Sequence, residues 1–141
     1  MHAFVGRVTR ERSTILLCDE ECPTADPLAG ELERLGHTIT VVRSCADAFA
    51  HACKQDFDCL VLGVVSKDGG ALALPRALGI RRPKLVILVS RLCDRIASPL
   101  VRHLGFDAQL AKIVDPKRLD RLARMAMASR MALEHSRAPL Q

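Results

Sequence analysis

The sequence predicts an α/β domain in which one parallel sheet carries helices on both faces. Three observations lead there. Five short apolar runs alternate with helix-patterned segments, the order that builds a parallel sheet through crossover helices. The runs are apolar nearly throughout, as strands covered on both sides must be. With 141 residues the chain has the usual size of one domain.

Residues 1–12 are polar and basic, with Arg7, Arg10 and Arg12, and read as a lead-in to a domain over 13–135. Ser13–Cys18 (STILLC) is a short apolar run stopped by Asp19, Glu20 and Glu21, which fits a buried first strand. Pro23, Asp26 and Pro27 mark a helix start, since proline is tolerated in a first turn and aspartate caps it. Leu28, Leu32 and Leu35 follow at helical spacing, and Gly36 ends the helix. Thr38–Val42 is the second strand. Ser44 caps a helix over 46–54, with Ala48, Phe49, Ala52 and Cys53 on one face.

Phe57–Val65 reads as the third strand, and Asp68-Gly69-Gly70 as a turn. Ala71–Leu78 is a weak helix interrupted by Pro75 and closed by Gly79. Lys84–Val89 is the fourth strand. Arg91–Leu104 has helical patterning, but Pro99 should kink that helix or delay its start. Ala108–Ala111 is the fifth strand. Asp115-Pro116 opens a last helix running to about Glu134, with Leu119, Leu122, Ala123 and Ala126 inward, and 136–141 reads as a flexible tail.

With four Phe and no Trp or Tyr, the core must be aliphatic. Lys and Arg outnumber Asp and Glu by 21 to 16, a formal charge of +5. That excess favours an acidic partner without establishing nucleic-acid binding. No apolar stretch approaches the roughly 20 residues that span a bilayer, and the first residues do not read as a secretory leader. The expectation is a cytoplasmic protein with its six cysteines as free thiols. Cys18, Cys53 and Cys59 fall on apolar faces, where cysteine acts as a small hydrophobe. The five histidines show no metal spacing and read as surface residues.

Five such units favour the flavodoxin-like strand order 2-1-3-4-5, a three-layer α/β/α sandwich whose ligands bind at the carboxyl ends of the strands. Those ends carry Asp19 and Glu20 after strand one, Gly63 in strand three, Ser90 after strand four and Lys112 after strand five.

From about Thr14 to Ala128 the chain resembles a response-regulator receiver domain of the CheY-like type. In that family an acidic pair after strand one holds Mg²⁺, an aspartate ending strand three takes the phosphoryl group, and a Ser or Thr ending strand four hydrogen-bonds it. A Lys after strand five pairs with it. The resemblance places Asp19 and Glu20 (ILLCDEE) at the acidic pair, Ser90 (VILVS) at the hydroxyl and Lys112 (AQLAK) at the lysine.

The departure is central. In FDCLVLG the place of the phosphoacceptor is taken by Gly63. Asp58 lies near the start of the strand and Asp68 in the following turn, so neither replaces it. The aromatic switch position is Gln109, and the proline that usually follows the lysine is Ile113. Phosphoryl transfer needs a carboxylate nucleophile in line with the donor, and glycine has no side chain to attack with. It also removes a metal-coordinating oxygen. Asp19 and Glu20 alone would hold Mg²⁺ only weakly, so no cofactor is expected. Their bland alternative is loop solvation. Ser90 reads chiefly as a cap for the next helix, and Lys112 either pairs with Asp19 or faces solvent.

The expected function is a phosphorylation-independent protein-interaction module without enzymatic activity. Its partner would be a kinase, a regulator, an assembly factor or a second copy. By the resemblance, the face made by helix four, strand five and helix five is the docking surface, with Arg91, Leu92, Arg95, Gln109, Arg118 and Arg121. Lys117, Arg121 and Arg124 form a basic stripe on the last helix, whose bland reading is a solvated face. Met125, Met127 and Met131 on that helix read as partial core packing. Two alternatives stay open: nucleic-acid binding through the basic helix, and a small-ligand, metal or redox role for a pocket near Cys18, Cys22 and Gly63.

Overall fold

The computed structural model describes residues 12–19, 22–63, 69–91 and 97–137. Five strands, β1 (Thr14–Cys18), β2 (Thr38–Val42), β3 (Cys59–Gly63), β4 (Leu85–Ser90) and β5 (Ala108–Ala111), form one sheet in the order β2-β1-β3-β4-β5. All four pairings are parallel. The helices are α1 (Cys22–Arg34), α2 (Cys45–Lys54), α3 (Gly69–Leu78), α4 (Ser98–His103) and α5 (Pro116–Arg137), with a 3-10 turn at Gly79–Arg81. Among the described residues no helix is long and apolar enough to cross a membrane.

Side chains alternate across a strand, and here both alternate sets are buried. Leu16, Leu60, Leu62, Val86 and Leu88 point to one face, where Ala48, Ala52, Leu74, Leu78 and Val101 of α2–α4 cover them. Ile15, Leu17, Val61, Ile87, Val89 and Leu110 point to the other, under Ala29 and Leu32 of α1 and Leu119 and Ala123 of α5. The core is aliphatic apart from Phe57 and Phe106. Gly36 and Gly105 follow α1 and α4 with φ of 102° and 97°, the left-handed turn that lets a chain leave a helix and enter a strand.

Several details differ from the sequence expectation. Pro99 delays its helix: α4 begins only at Ser98, with proline in the first turn. The third strand ends at Gly63, and 64–68, including Asp68, lie outside the described residues. The last helix continues to Arg137. On α2, Ala48 and Ala52 are buried, but Cys53 and Phe49 are exposed. The inward face of this short helix is narrow enough for two alanines to fill it. Met125 is 68% exposed rather than packed into the core, because Leu119, Ala123 and Ala126 already occupy the inward stripe of α5.

His37 is also not a surface residue. Its side chain is fully buried, and Nε2 lies 2.5 Å from Asp120 Oδ1 on α5. Arg124 Nε donates to the same carboxylate oxygen at 2.8 Å, and Arg124 Nη2 donates to the Leu35 carbonyl at 2.5 Å. The end of α1 is thus tied to α5 by three side chains. A second tie lies at the amino end of the sheet. Asp58, 2% exposed, accepts from Arg130 Nε at 2.6 Å and from the Thr14 backbone N–H at 3.0 Å. A buried carboxylate needs such partners, and this one joins β1, the entry to β3, and α5.

Candidate functional site

The parallel register brings the carboxyl ends of β1, β3, β4 and β5 to one edge. Cys18 pairs with Leu62, Gly63 with Val89, and Ser90 with Ala111. Backbone bonds extend this alignment beyond the strands: Asp19 N–H donates to the Val42 carbonyl at 3.1 Å, and Lys112 N–H to the Ser90 carbonyl at 2.9 Å. Asp19, Gly63, Ser90 and Lys112 therefore converge as expected. Glu20 lies outside the described residues.

Strand parity separates these four. Gly63 continues the Cys59–Val61 set and Lys112 the Leu110 set, both on the α1/α5 side of the sheet. Asp19 joins them, and its side chain fills the space beside the glycine. A Cβ built on Gly63 would lie 3.0 Å from Asp19 Cγ and 3.2 Å from each carboxylate oxygen. Contacts that tight would oblige the Asp19 side chain to give by a few tenths of an ångström. Lys112 Nζ lies 3.8 Å from Asp19 Oδ2, with side-chain exposures of 12% and 9%. This ion pair lines a cavity of about 30 Å³ together with Leu17, Leu28, Val61, Gly63, Val89 and Val114. That space suits one or two waters.

The described residues do not make a Mg²⁺ site. Asp19 supplies the one carboxylate among the described lining residues, and an ammonium group stands beside it. Magnesium prefers six oxygens in an octahedron. Among the described residues no cluster of three or more His, Cys, Asp or Glu is placed to hold a metal ion. Cys18 and Cys59 are buried free thiols. Burial, aided by Asp58 and Asp107 nearby, pushes the Cys59 thiol far up from its ordinary value, so it stays protonated and unreactive. The side chain of Cys22 lies outside the described residues.

Ser90 has the parity of Leu88 and turns toward the other side of the sheet. It caps no described helix, because α4 starts only at Ser98, behind Ala97 and with no side-chain cap. Its buried hydroxyl instead donates to Gln109 Oε1 at 3.3 Å. That bond connects the carboxyl edge to the α4–β5 surface. There a polar cavity of about 190 Å³ is lined by Ser98, Val101, Arg102, Asp107, Ala108 and Gln109. Arg91, Arg118 and Arg121 are exposed, whereas Leu92 and Arg95 lie outside the described residues. Lys117 is exposed as expected, but Arg124 is engaged with Asp120 and Leu35 and is no free member of the basic stripe.

Sequence reasoning found the converging positions and missed the contacts between them. The Ser90–Gln109 bond had no local signal, since it joins residues on neighbouring strands. The seating of Asp19 over Gly63 had one, the glycine itself, read only as a missing nucleophile.

No protein-family model matches the chain, and no curated protein matches it. Solved structures do. A CheY-like response-regulator receiver domain protein from Methanospirillum hungatei JF-1 is 18% identical with a TM-score of 0.72, over 86% of this chain and 98% of the other. The receiver domain of a Francisella response regulator is 18% identical with a TM-score of 0.73, over 84% and 98%. A two-component response regulator from Clostridium difficile is 20% identical with a TM-score of 0.72, over 85% and 98%. Strand order, layering and these likenesses agree: the chain has the three-layer α/β/α fold of CheY-like response-regulator receiver domains.

Proposed function

We propose that this domain is a pseudo-receiver, a phosphorylation-independent protein-interaction module of two-component-type signalling. One observation carries the reading. By the resemblance Gly63 takes the phosphoacceptor position, and the Asp19 carboxylate, paired with Lys112, takes up the space beside it. No nucleophilic oxygen is offered by residue 63, and the lysine that would meet a phosphoryl group already faces a carboxylate. Asp19, Glu20, Gly63, Ser90 and Lys112 are on this reading a degenerate phosphoacceptor pocket.

Binding then relies on a preformed surface, since a ligand shifts a conformational equilibrium only through differential affinity for its two states. The face of α4, β5 and α5 is our candidate, with Arg91, Gln109, Arg118 and Arg121 among its described residues and Leu92 and Arg95 beyond them. The Ser90 hydroxyl donates to Gln109 Oε1 on that face. Three exposed arginines suit an acidic protein partner: a kinase, a regulator, an assembly factor or a second copy of the chain. Beryllofluoride with Mg²⁺, titrated into isotopically labelled protein, should leave the amide resonances around Asp19, Gly63 and Lys112 in place. Saturable shifts at those residues would defeat the reading.

The exposed arginines also keep nucleic-acid binding as a second reading. Phosphate contacts by Lys and Arg weaken steeply with salt, so a DNA-retention assay across a salt series separates the two. A small-ligand role draws little support from a cavity of about 30 Å³.

A further inference from the structure

Around the amino ends of β3 and β4 the molecule carries a second groove, at the opposite end of the sheet from Gly63. Its floor is Phe57 and Asp58, and its walls are the turn Ile80–Lys84 and the last turns of α5, with Arg130 and Leu133. It encloses about 270 Å³, several times the space at Gly63. Parallel strands and an antiparallel α5 force this placement: the carboxyl end of the helix must return to the amino ends of the strands.

The lining combines two kinds of side chain. Ile80 is fully exposed at the tip of its 3-10 turn, and Leu133 is also exposed. Around them stand Arg81, Arg82, Lys84 and Arg130, against Asp56 and Asp58. The groove therefore has a cationic excess with apolar side chains at its rim. Its arginines are held in place. Arg81 reaches Asp56 at 3.2 Å and donates to the Ala52 carbonyl, Arg82 reaches Asp107 at 2.5 Å, and Arg130 reaches Asp58 at 2.6 Å. Arg81 spends all three of its nitrogens in these contacts, whereas Lys84 is in none of them. A phosphate backbone suits a bare row of cations, whereas here three of the four are partnered by carboxylates, which leaves Lys84, beside the exposed Ile80 and Leu133, as the charge offered to a partner.

We propose that this groove docks a segment of a protein partner that bears an aliphatic side chain beside acidic residues. The aliphatic group would lie against Ile80 and Leu133, and a flanking carboxylate would meet Lys84. The groove adjoins the α4–β5–α5 face through the Arg82–Asp107 pair.

A random-peptide phage library panned on the full chain, with the Ile80→Ser/Lys84→Glu variant as counter-selection, tests this. Both residues are exposed, and unchanged circular dichroism would confirm that the variant folds. The expected result is enrichment of peptides with an aliphatic residue flanked by Asp or Glu. Their affinity should fall by about tenfold on the variant, as when one apolar anchor and one charge are lost. Three results would overturn the proposal: enriched peptides that bind both proteins equally, enriched peptides lacking carboxylates, or none enriched. A short DNA duplex that binds the wild type but not the variant, and displaces the peptides, would also overturn it.

Discussion

The carboxylate of Asp19 lies over Gly63, 3.0 Å from where a Cβ at that position would stand, and Lys112 Nζ is 3.8 Å away on the same side of the sheet. The glycine and the aspartate are complementary in shape: a Cβ on β3 would press the side chain after β1 back by a few tenths of an ångström. The bare backbone of residue 63 and the inward seat of the Asp19 carboxylate are one structural fact.

Gly63→Ala should therefore destabilise the fold by about 1–2 kcal/mol, the usual cost of forcing one methyl group into a filled site. The cost should largely vanish in an Asp19→Ala background, giving a coupling of about 1 kcal/mol in a double-mutant cycle. Urea denaturation of the four proteins measures it. Additive effects would show that the two side chains do not compete for space.

Asp58→Ala should cost about 3 kcal/mol, because it removes a buried carboxylate from Arg130 and from the Thr14 N–H together. The unfolding midpoint checks this, and a loss of under about 1 kcal/mol would mean that Arg130 finds equivalent partners in water.

The tie between His37, Asp120 and Arg124 predicts an acid limb. Burial pushes the Asp120 carboxyl up, but hydrogen bonds from His37 and Arg124 outweigh it and hold the group below its ordinary value of 3.8. On acidification the unfolded chain takes up this proton first. The stabilisation is complete above the unfolded value and is lost as pH falls through the lower folded value. Denaturant midpoints from about pH 6 to about pH 2 should decline less steeply for Asp120→Asn than for the wild type. Identical slopes would assign the acid limb to other carboxylates.

Much of this fold was legible in the sequence. The apolar runs ILLC, LVLG and LVILV are continuous because both faces of the sheet are covered, so both parities had to be apolar. Pro99 announced a disturbed helix, and only the tertiary structure chose delay over a kink. Residues that act across long separations were not legible. His37 and Asp120 are 83 positions apart, and Asp58 and Arg130 are 72 apart. No local pattern marks a histidine or an arginine whose partner lies on another element. The Ser90–Gln109 bond was missed for a related reason: a hydroxyl before a helical pattern looks like a cap, and strand parity turns this one toward Gln109.

Reversing Arg118 and Arg121 to Glu should leave stability within about 0.5 kcal/mol, since both are exposed away from the core. The same change should abolish partner recovery from the native host if the α4–β5–α5 face is the docking surface. No DNA should be retained by either protein at low salt. Retention by the wild type alone would transfer the arginines to a nucleic-acid role.

Whether any carboxylate of this chain accepts a phosphoryl group is read from its intact mass. The full chain is incubated with acetyl phosphate and Mg²⁺ beside an ordinary receiver as control, and intact masses are recorded before hydrolysis can intervene. The control should gain a phosphoryl adduct and this chain should keep its mass. A gain of one phosphoryl group, mapped to any aspartate or glutamate of the chain, would contradict it.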